Sequence, residues 1–231
     1  MDEYIYLLLS IFLFLVWITI IFARKDLKIK IISASIAGGF AGLIAEFWYF
    51  KDYWQPPSIL GKHTLSIEDF LFGFFITGIA VSAYDAIFIA KNVQQEKSRK
   101  LFFCLLFLLG IVSLLVFNNL LGFNSIFVSS FAFIFFSIIM IAVRKDLLIS
   151  SIMSGALVVI IIIPIYAIMF NFISPEYWNT YWLLTDTKFG ITILGNIPVT
   201  EILWYFSWGC LAGIGYDFAY GNKKIIKSSK N

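Results

Sequence analysis

Charge is scarce in this chain. Only 13% of its 231 residues are Asp, Glu, Lys or Arg, while 61% are hydrophobic, against roughly 25% and 45–50% in soluble globular domains. The mean hydropathy is +0.91 and the mass 26.4 kDa. Those values exclude a water-soluble fold and leave almost all of the surface to face lipid or other helices. Cysteine is nearly absent: Cys104 and Cys210 are the only two. Both lie in apolar runs without a partner at metal-ligand spacing, so a disulfide framework and a zinc site are excluded and both are read as packing residues. The single histidine, His63, sits in a polar loop beside Lys62; it reads as solvated and cannot build a histidine metal cluster alone. No Gly-x-Gly-x-x-Gly follows a strand, so a dinucleotide-binding fold is not expected, and neither a cofactor nor a metal is implied. Of the five prolines, only Pro164 lies well inside an apolar run, where it should interrupt and kink the helix and free a backbone carbonyl.

What the chain does have is apolar length. A helix that spans a bilayer needs about 20 mostly apolar residues, and the runs at 4–22, 29–50, 68–90, 101–118, 124–143, 148–172 and 198–220 qualify. The expectation is an all-α membrane protein with seven transmembrane helices. The first run is expected to remain as a span: Asp2 and Glu3 precede it, the basic residues follow it, and no small-x-small cleavage site ends it. Basic loop residues are retained on the cytoplasmic side. Arg24, Lys25, Lys28, Lys30, Lys91, Lys97, Arg99, Lys100, Arg144, Lys145, Lys223, Lys224, Lys227 and Lys230 all fall on one side of alternating spans. Of the 17 basic residues, only Lys51, Lys62 and Lys188 fall opposite. The N-terminus is therefore placed outside and the C-terminus in the cytoplasm, in a multi-pass protein of the cell membrane. This asymmetry accounts for the net charge of +3, and no nucleic-acid partner is inferred from it.

The chain also matches itself. Arg24-Lys25-Asp26-Leu27 recurs as Arg144-Lys145-Asp146-Leu147, Ile59-Leu60-Gly61 as Ile193-Leu194-Gly195, Ser66-Ile67-Glu68-Asp69 as Pro198-Val199-Thr200-Glu201, and Tyr84-Asp85 as Tyr216-Asp217. Tyr53-Trp54 and Tyr177-Trp178 correspond in the outer loops, and the order is the same in both halves. The repeat unit is three helices, with one helix left over as connector. The division is 1–96, a first three-helix repeat; 97–121, the connector; 122–222, the second repeat; and 223–231, a basic tail. An inserted single helix gives both repeats the same orientation, a 3+1+3 plan about an axis along the membrane normal. Equivalent residues then lie at equal depth: Glu68, Asp69 and Glu201 at the outer helix ends, Asp85 and Asp217 at the inner ends.

Carboxylates at membrane depth cost about 2.5–3.5 kcal/mol each on insertion scales and are functional candidates by default. Glu46, late in the second span, approaches the depth of Glu68, Asp69 and Glu201. An acid in apolar surroundings beside other acids keeps a proton available for general-acid chemistry. Trp48, Tyr49, Phe72, Trp204, Tyr205 and Trp208 lie on the same helices, with Glu201, Trp204 or Tyr205, and Trp208 on one helix face. Aromatic faces stabilise cations, so an acid beside them suits protonation of an alkene and steering of the carbocation. Plainer roles compete for some of these residues. Glu68 and Asp69 could complement a helix start with Ser66 as N-cap, and Pro198 fits a first turn. Trp54, Trp178, Tyr181 and Trp182 read as interfacial anchors. Asp85 and Asp217 read as structural partners of the inner cations or adjacent tyrosines, and Arg24-Lys25 and Arg144-Lys145 as topology signals.

The acidic helix start, preceded by Gly and followed by an aromatic-rich span, resembles the Pro-x-Glu-Glu signature of the flavin-independent lycopene cyclases, in their fused two-repeat form. Pro198-Val199-Thr200-Glu201 keeps the proline and the last acid with Thr at the first; Ser66-Ile67-Glu68-Asp69 keeps both acids with Ser for proline. The resemblance implies an isomerase without cofactor that closes the linear end group of a membrane-dissolved carotenoid into a β-type ionone ring. Glu68 or Glu201 would serve as acid, Asp69, Glu201 or Glu46 as base or proton partner, and Trp204 and Phe72 as cation wall, with Tyr205, Trp208 and Trp48 around the substrate. Its partners would be the carotenoid and membrane lipid, and a homo-oligomer is compatible with it.

Two other plans share parts of this outline. A 3+1+3 arrangement also resembles the SWEET sugar transporters, the alternative reading, but matched prolines in both halves are missing. A seven-helix rhodopsin needs a lysine in its last helix, and residues 198–220 contain none.

Overall fold

In lipid every backbone N–H and C=O must bond within its own segment, so long apolar runs fold as helices. The computed structural model describes residues 2–59, 61 and 65–226 and is mostly helical. Leu60, Lys62, His63 and the tail from 227 on, with Lys227 and Lys230, lie outside the described residues. The elements are α1 (Ile5–Ala23), α2 (Lys28–Asp52), α3 (Ile67–Ile87), β1 (Ala90–Gln94), α4 (Lys100–Ser113) with a π-helical extension Leu114–Leu120, α5 (Ser125–Val143), α6 (Leu148–Ile168) with a π-helical extension Met169–Ile173, the short α7 (Tyr177–Tyr181), β2 (Thr192–Ile193), β3 (Ile197–Pro198), α8 (Val199–Tyr220) and β4 (Asn222–Ile226).

Six helical stretches are long and apolar enough to cross a membrane: Asp2–Ala23, Lys25–Asp52, Ile67–Ile87, Lys100–Leu120, Ser125–Val143 and Lys145–Ile173. The seventh expected span is a continuous helix of 22 residues, about 33 Å at 1.5 Å per residue, but it is not among the six. Thr200, Glu201, Ser207 and Asp217 dilute its apolarity, and all four are buried against protein. Pro164 does not break α6 as expected. The helix runs through it to Ile168 and then widens into the π segment, one of the local adjustments that lets a membrane helix carry proline.

Helices α3 and α8 form the centre. The first packs on α1, α2, α6 and α8, the second on α3, α4, α5 and α6. Glycine permits the closest crossings: a Cβ on Gly73 would lie 2.5 Å from the Gly38 carbonyl oxygen, and one on Gly209 2.8 Å from Gly155 Cα. Small residues of this kind let membrane helices meet backbone to backbone. Cys210 packs at the second crossing, against Gly155, whereas Cys104 is exposed on α4 and is not a packing residue.

The two Arg-Lys-Asp-Leu turns make the same bonds. Arg24 Nε donates to Asp26 at 2.9 Å and Arg144 Nε to Asp146 at 2.9 Å. Arg24 also donates to the Asp85 carbonyl and, at 2.7 Å, to that of Ala90; Arg144 donates to Asp217 O at 3.4 Å and Asn222 O at 2.8 Å. These arginines clasp the ends of α3 and α8, so they are more than topology signals. The strands that follow those helices, β1 and β4, pair antiparallel with Ala90 opposite Ile226 and Gln94 opposite Asn222. Beside this pair of strands Lys30 lies 2.7 Å from Asp85 and 2.9 Å from Asp217, and Lys224 lies 2.9 Å and 3.2 Å from the same two acids. Asp85 and Asp217 are thus the structural partners expected, and Lys30 is buried in the interior.

At the opposite end the connecting segments fold over the helices. Gln55 N donates to Tyr181 O and Leu183 N to Tyr53 O, both at 2.9 Å. Trp54 stacks on Trp178 with centroids 5.7 Å apart, and Trp178 meets Trp182 edge-on at 6.0 Å. All three are buried, so they are core residues of this cap and not interfacial anchors; only Tyr181 keeps partial exposure.

Candidate active site

Beneath the aromatic cap a cavity of ≈ 150 Å³ is lined mainly by α2, α3, α4, α5 and α8, with Tyr6 of α1 and Tyr166 of α6, a volume that in a dry apolar core accepts a ring the size of benzene. Its wall is mostly apolar and aromatic, with Trp48, Tyr49, Phe72, Phe133, Trp204 and Trp208 among the lining residues. Three carboxyl groups reach it: Glu46 from α2, Asp69 from α3 and Glu201 from α8. All three are buried.

Each acid is held differently. Glu201 sits in the first turn of α8, where a carboxylate suits the helix dipole. Its Oε1 accepts from Tyr53 Oη at 2.5 Å and its Oε2 from Tyr166 Oη at 2.7 Å. Tyr205 Oη stands 2.7 Å behind Tyr166, and Thr200 Oγ1 stands 3.0 Å from Tyr53 Oη. Burial raises the Tyr53 phenol well above its ordinary pKa, and the Glu201 charge raises it further, so it stays a neutral donor. Asp69 closes a capping box: its Oδ2 accepts from Ser66 N at 2.7 Å and Ser66 Oγ at 2.9 Å, and its own N–H donates to Ser66 Oγ at 3.2 Å. The helix-start role is therefore real for Asp69, and it lines the cavity as well. Glu46 is the least constrained. Its Oε1 is buried with no hydrogen-bond partner among the described residues.

The expected residues divide. Glu46, Asp69, Glu201, Phe72, Trp204, Trp208 and Trp48 line the cavity, while Glu68 and Tyr205 do not. Glu68 is fully buried but accepts from Ile59 N at 2.9 Å, outside the lining. Tyr205, one turn beyond Glu201 on α8, stands outside the lining and reaches Glu201 through Tyr166. Trp204 and Trp208 stack at 6.1 Å, Trp204 lies 6.1 Å from Phe72, and its Nε1 donates to Tyr49 Oη at 2.8 Å. Sequence reasoning missed Tyr6, Tyr53 and Tyr166 as residues of this cavity. Tyr166 had a signal: it stands as far beyond Arg144 as Glu46 does beyond Arg24, so a phenol in one half answers an acid in the other. Among the described residues no group of His, Cys, Asp or Glu is placed to hold a metal ion.

Three carboxyl groups and several aromatic rings thus line one largely apolar cavity, an arrangement that can carry proton transfer to an apolar guest. Residues 124–219 match the lycopene cyclase family. The match takes in α5, α6, α7 and nearly all of α8, and with them Glu201, Trp204, Trp208 and Tyr166, but stops short of α1 to α4. No curated protein and no solved structure matches the chain. The matching segment thus supplies one wall of the cavity, and Glu46 and Asp69 enter it from outside that segment.

Proposed function

We propose that the chain is a membrane carotenoid cyclase of lycopene type, in which a proton starts ring closure and a proton is returned at its end. The observation that carries this reading is the single aromatic cavity into which Glu46, Asp69 and Glu201 converge, one wall of it lying in the segment that matches the cyclases. The carboxyl of Glu46, a lining residue whose Oε1 has no hydrogen-bond partner among the described residues, delivers a proton to the terminal double bond of the linear end group, with Asp69 as its proton partner. The resulting tertiary cation is attacked by a double bond farther along the chain, closing a six-membered ring. Glu201 then removes a ring proton, leaving a β-type ring double bond. One proton enters and one leaves, so no oxidant or reductant is consumed. Both Glu201 oxygens accept phenol donors, which hold the carboxyl in place for that step. Trp204, Trp208 and Phe72 face the cation.

The fused two-repeat plan belongs to this proposal. It is supported by the matching bonds of Arg24 and Arg144 and by the antiparallel pairing of β1 with β4, which relates the ends of α3 and α8 by a twofold rotation. With α8 counted as a span, seven helices cross the membrane as 3+1+3, with 97–121 as connector. Basic loops then place the ion cluster at the cytoplasmic end and the cavity in the outer half.

The test is expression in cells that accumulate lycopene, followed by chromatography of the pigment, for wild type and for Glu46→Gln and Glu201→Gln. Cyclised pigment in wild type that disappears in the variants is expected; unchanged lycopene with well-expressed wild type rejects the reading.

A further inference from the structure

The cavity is not sealed from the bilayer. Helices α2 and α4 both line it, yet α2 packs mainly on α3 and α4 mainly on α5 and α8. Ile44 on α2 and Phe107 on α4 belong to the lining and are 39% and 45% exposed, so the cavity wall continues onto the lipid-facing surface at this seam. Gly110 sits on the α4 side of the lining: a Cβ there would meet only Phe136, at 3.4 Å.

The way α4 is held explains the gap. At its outer end Asn118 donates to the Asp52 carboxylate and accepts from Lys51 Nζ at 3.2 Å, which ties it to the end of α2. At its inner end Phe102 packs on Phe218 of α8, with centroids 5.7 Å apart, away from α2. Between the two anchors α4 is the least buried of the six long apolar helices, and its outer part is π-helical, a form frequent at functional sites.

We infer that the seam between α2 and α4 is a lateral entrance through which a linear isoprenoid hydrocarbon passes from the bilayer to the three carboxyl groups, with Gly110 setting its width. This rests on the cyclase reading for the identity of the guest. One end of the chain occupies the cavity while the rest stays in lipid, so a substrate with two equivalent ends is processed one end at a time. An apolar guest that enters sideways never crosses water, and the Lys30–Asp85–Asp217–Lys224 cluster can stay closed throughout.

The experiment uses the full chain in lipid nanodiscs with a linear isoprenoid hydrocarbon carrying a diazirine at one end. Adducts are mapped by mass spectrometry after illumination for wild type, Gly110→Leu, Gly110→Phe and Leu108→Phe; Leu108 is exposed on α4 outside the lining. Wild-type adducts are expected around Ile44 and Phe107. The Gly110 variants should lower both labelling and pigment turnover at least fivefold, more for Phe than for Leu, and Leu108→Phe should change neither. Adducts confined to other helices, or Gly110 variants that melt, label and turn over as wild type does, overturn the entrance. Labelling needs no turnover: wild type that labels at the seam but forms no ring supports the entrance and removes the cyclase reading.

Discussion

Tyr53 and Glu201 meet across 2.5 Å, one at the C-terminal end of α2 and the other in the first turn of α8. The bond joins the two halves of the chain at the cavity, and it places the aromatic cap under the same constraint as the carboxylate, because Tyr53 O also accepts from Leu183 N.

Removing that phenol should therefore damage catalysis more than folding. A hydrogen bond to a charged group contributes about 1.5–3 kcal/mol, so Tyr53→Phe is expected to lower kcat by about 10- to 100-fold while the protein still purifies as a folded monodisperse species. Turnover of lycopene in nanodiscs, normalised to folded protein, measures it.

The adjacent acids of α3 should behave differently. Asp69→Asn removes a lining carboxyl and is expected to reduce turnover by about 10²-fold or more, within the usual range for acid–base groups. Glu68→Gln lies outside the lining and should retain turnover within a few-fold of wild type. Equal and severe losses in both would place Glu68 in the reaction and contradict the geometry.

The aromatic wall can be graded. Trp204→Phe keeps a π face toward the cavity and should cost less than fivefold in turnover. Trp204→Ala removes the face and a cation–π contribution of about 0.5–2 kcal/mol, and also strands Tyr49 Oη without its donor. Cyclisation rates of the two variants relative to wild type test the order.

Lys30 is predicted to be structural. Lys30→Met leaves Asp85 and Asp217 to share Lys224 alone, and breaking a buried pair in this way costs about 3–5 kcal/mol. The thermal midpoint in detergent should fall by several degrees, and Lys30→Met combined with Asp85→Asn should recover part of the loss. A midpoint unchanged in the single variant would show that the cluster carries no stability.

Much of this was legible in the chain. Apolar runs mark helices because lipid offers the backbone no other partner, and the recurring Arg-Lys-Asp-Leu turns pointed to two places where the same bonds form. The depth of Glu46, Asp69 and Glu201 followed from their positions along helices running in opposite directions. Facing did not follow. Glu68 and Asp69 are neighbours about 100° apart around α3, and only the packing of α2 against α3 at Gly38 and Gly73 decided that Asp69, and not Glu68, turns to the cavity. Trp204 and Tyr205 separate on α8 for the same reason. Trp54, Trp178 and Trp182 looked like anchors because composition near a helix end cannot distinguish a ring that meets headgroups from one stacked on its neighbours.

The sequence by itself determined that the protein is helical and lipid-facing, where its charges gather, and which acids lie at one depth, since these depend on local composition and on spacing along the chain. Tertiary structure decided that Tyr53 and Tyr166 hold Glu201, that Lys30 lies between Asp85 and Asp217, and that α4 packs mainly on α5 and α8. Those are relations between helices far apart in the chain, fixed by which small residues allow close approach and which bulky ones prevent it.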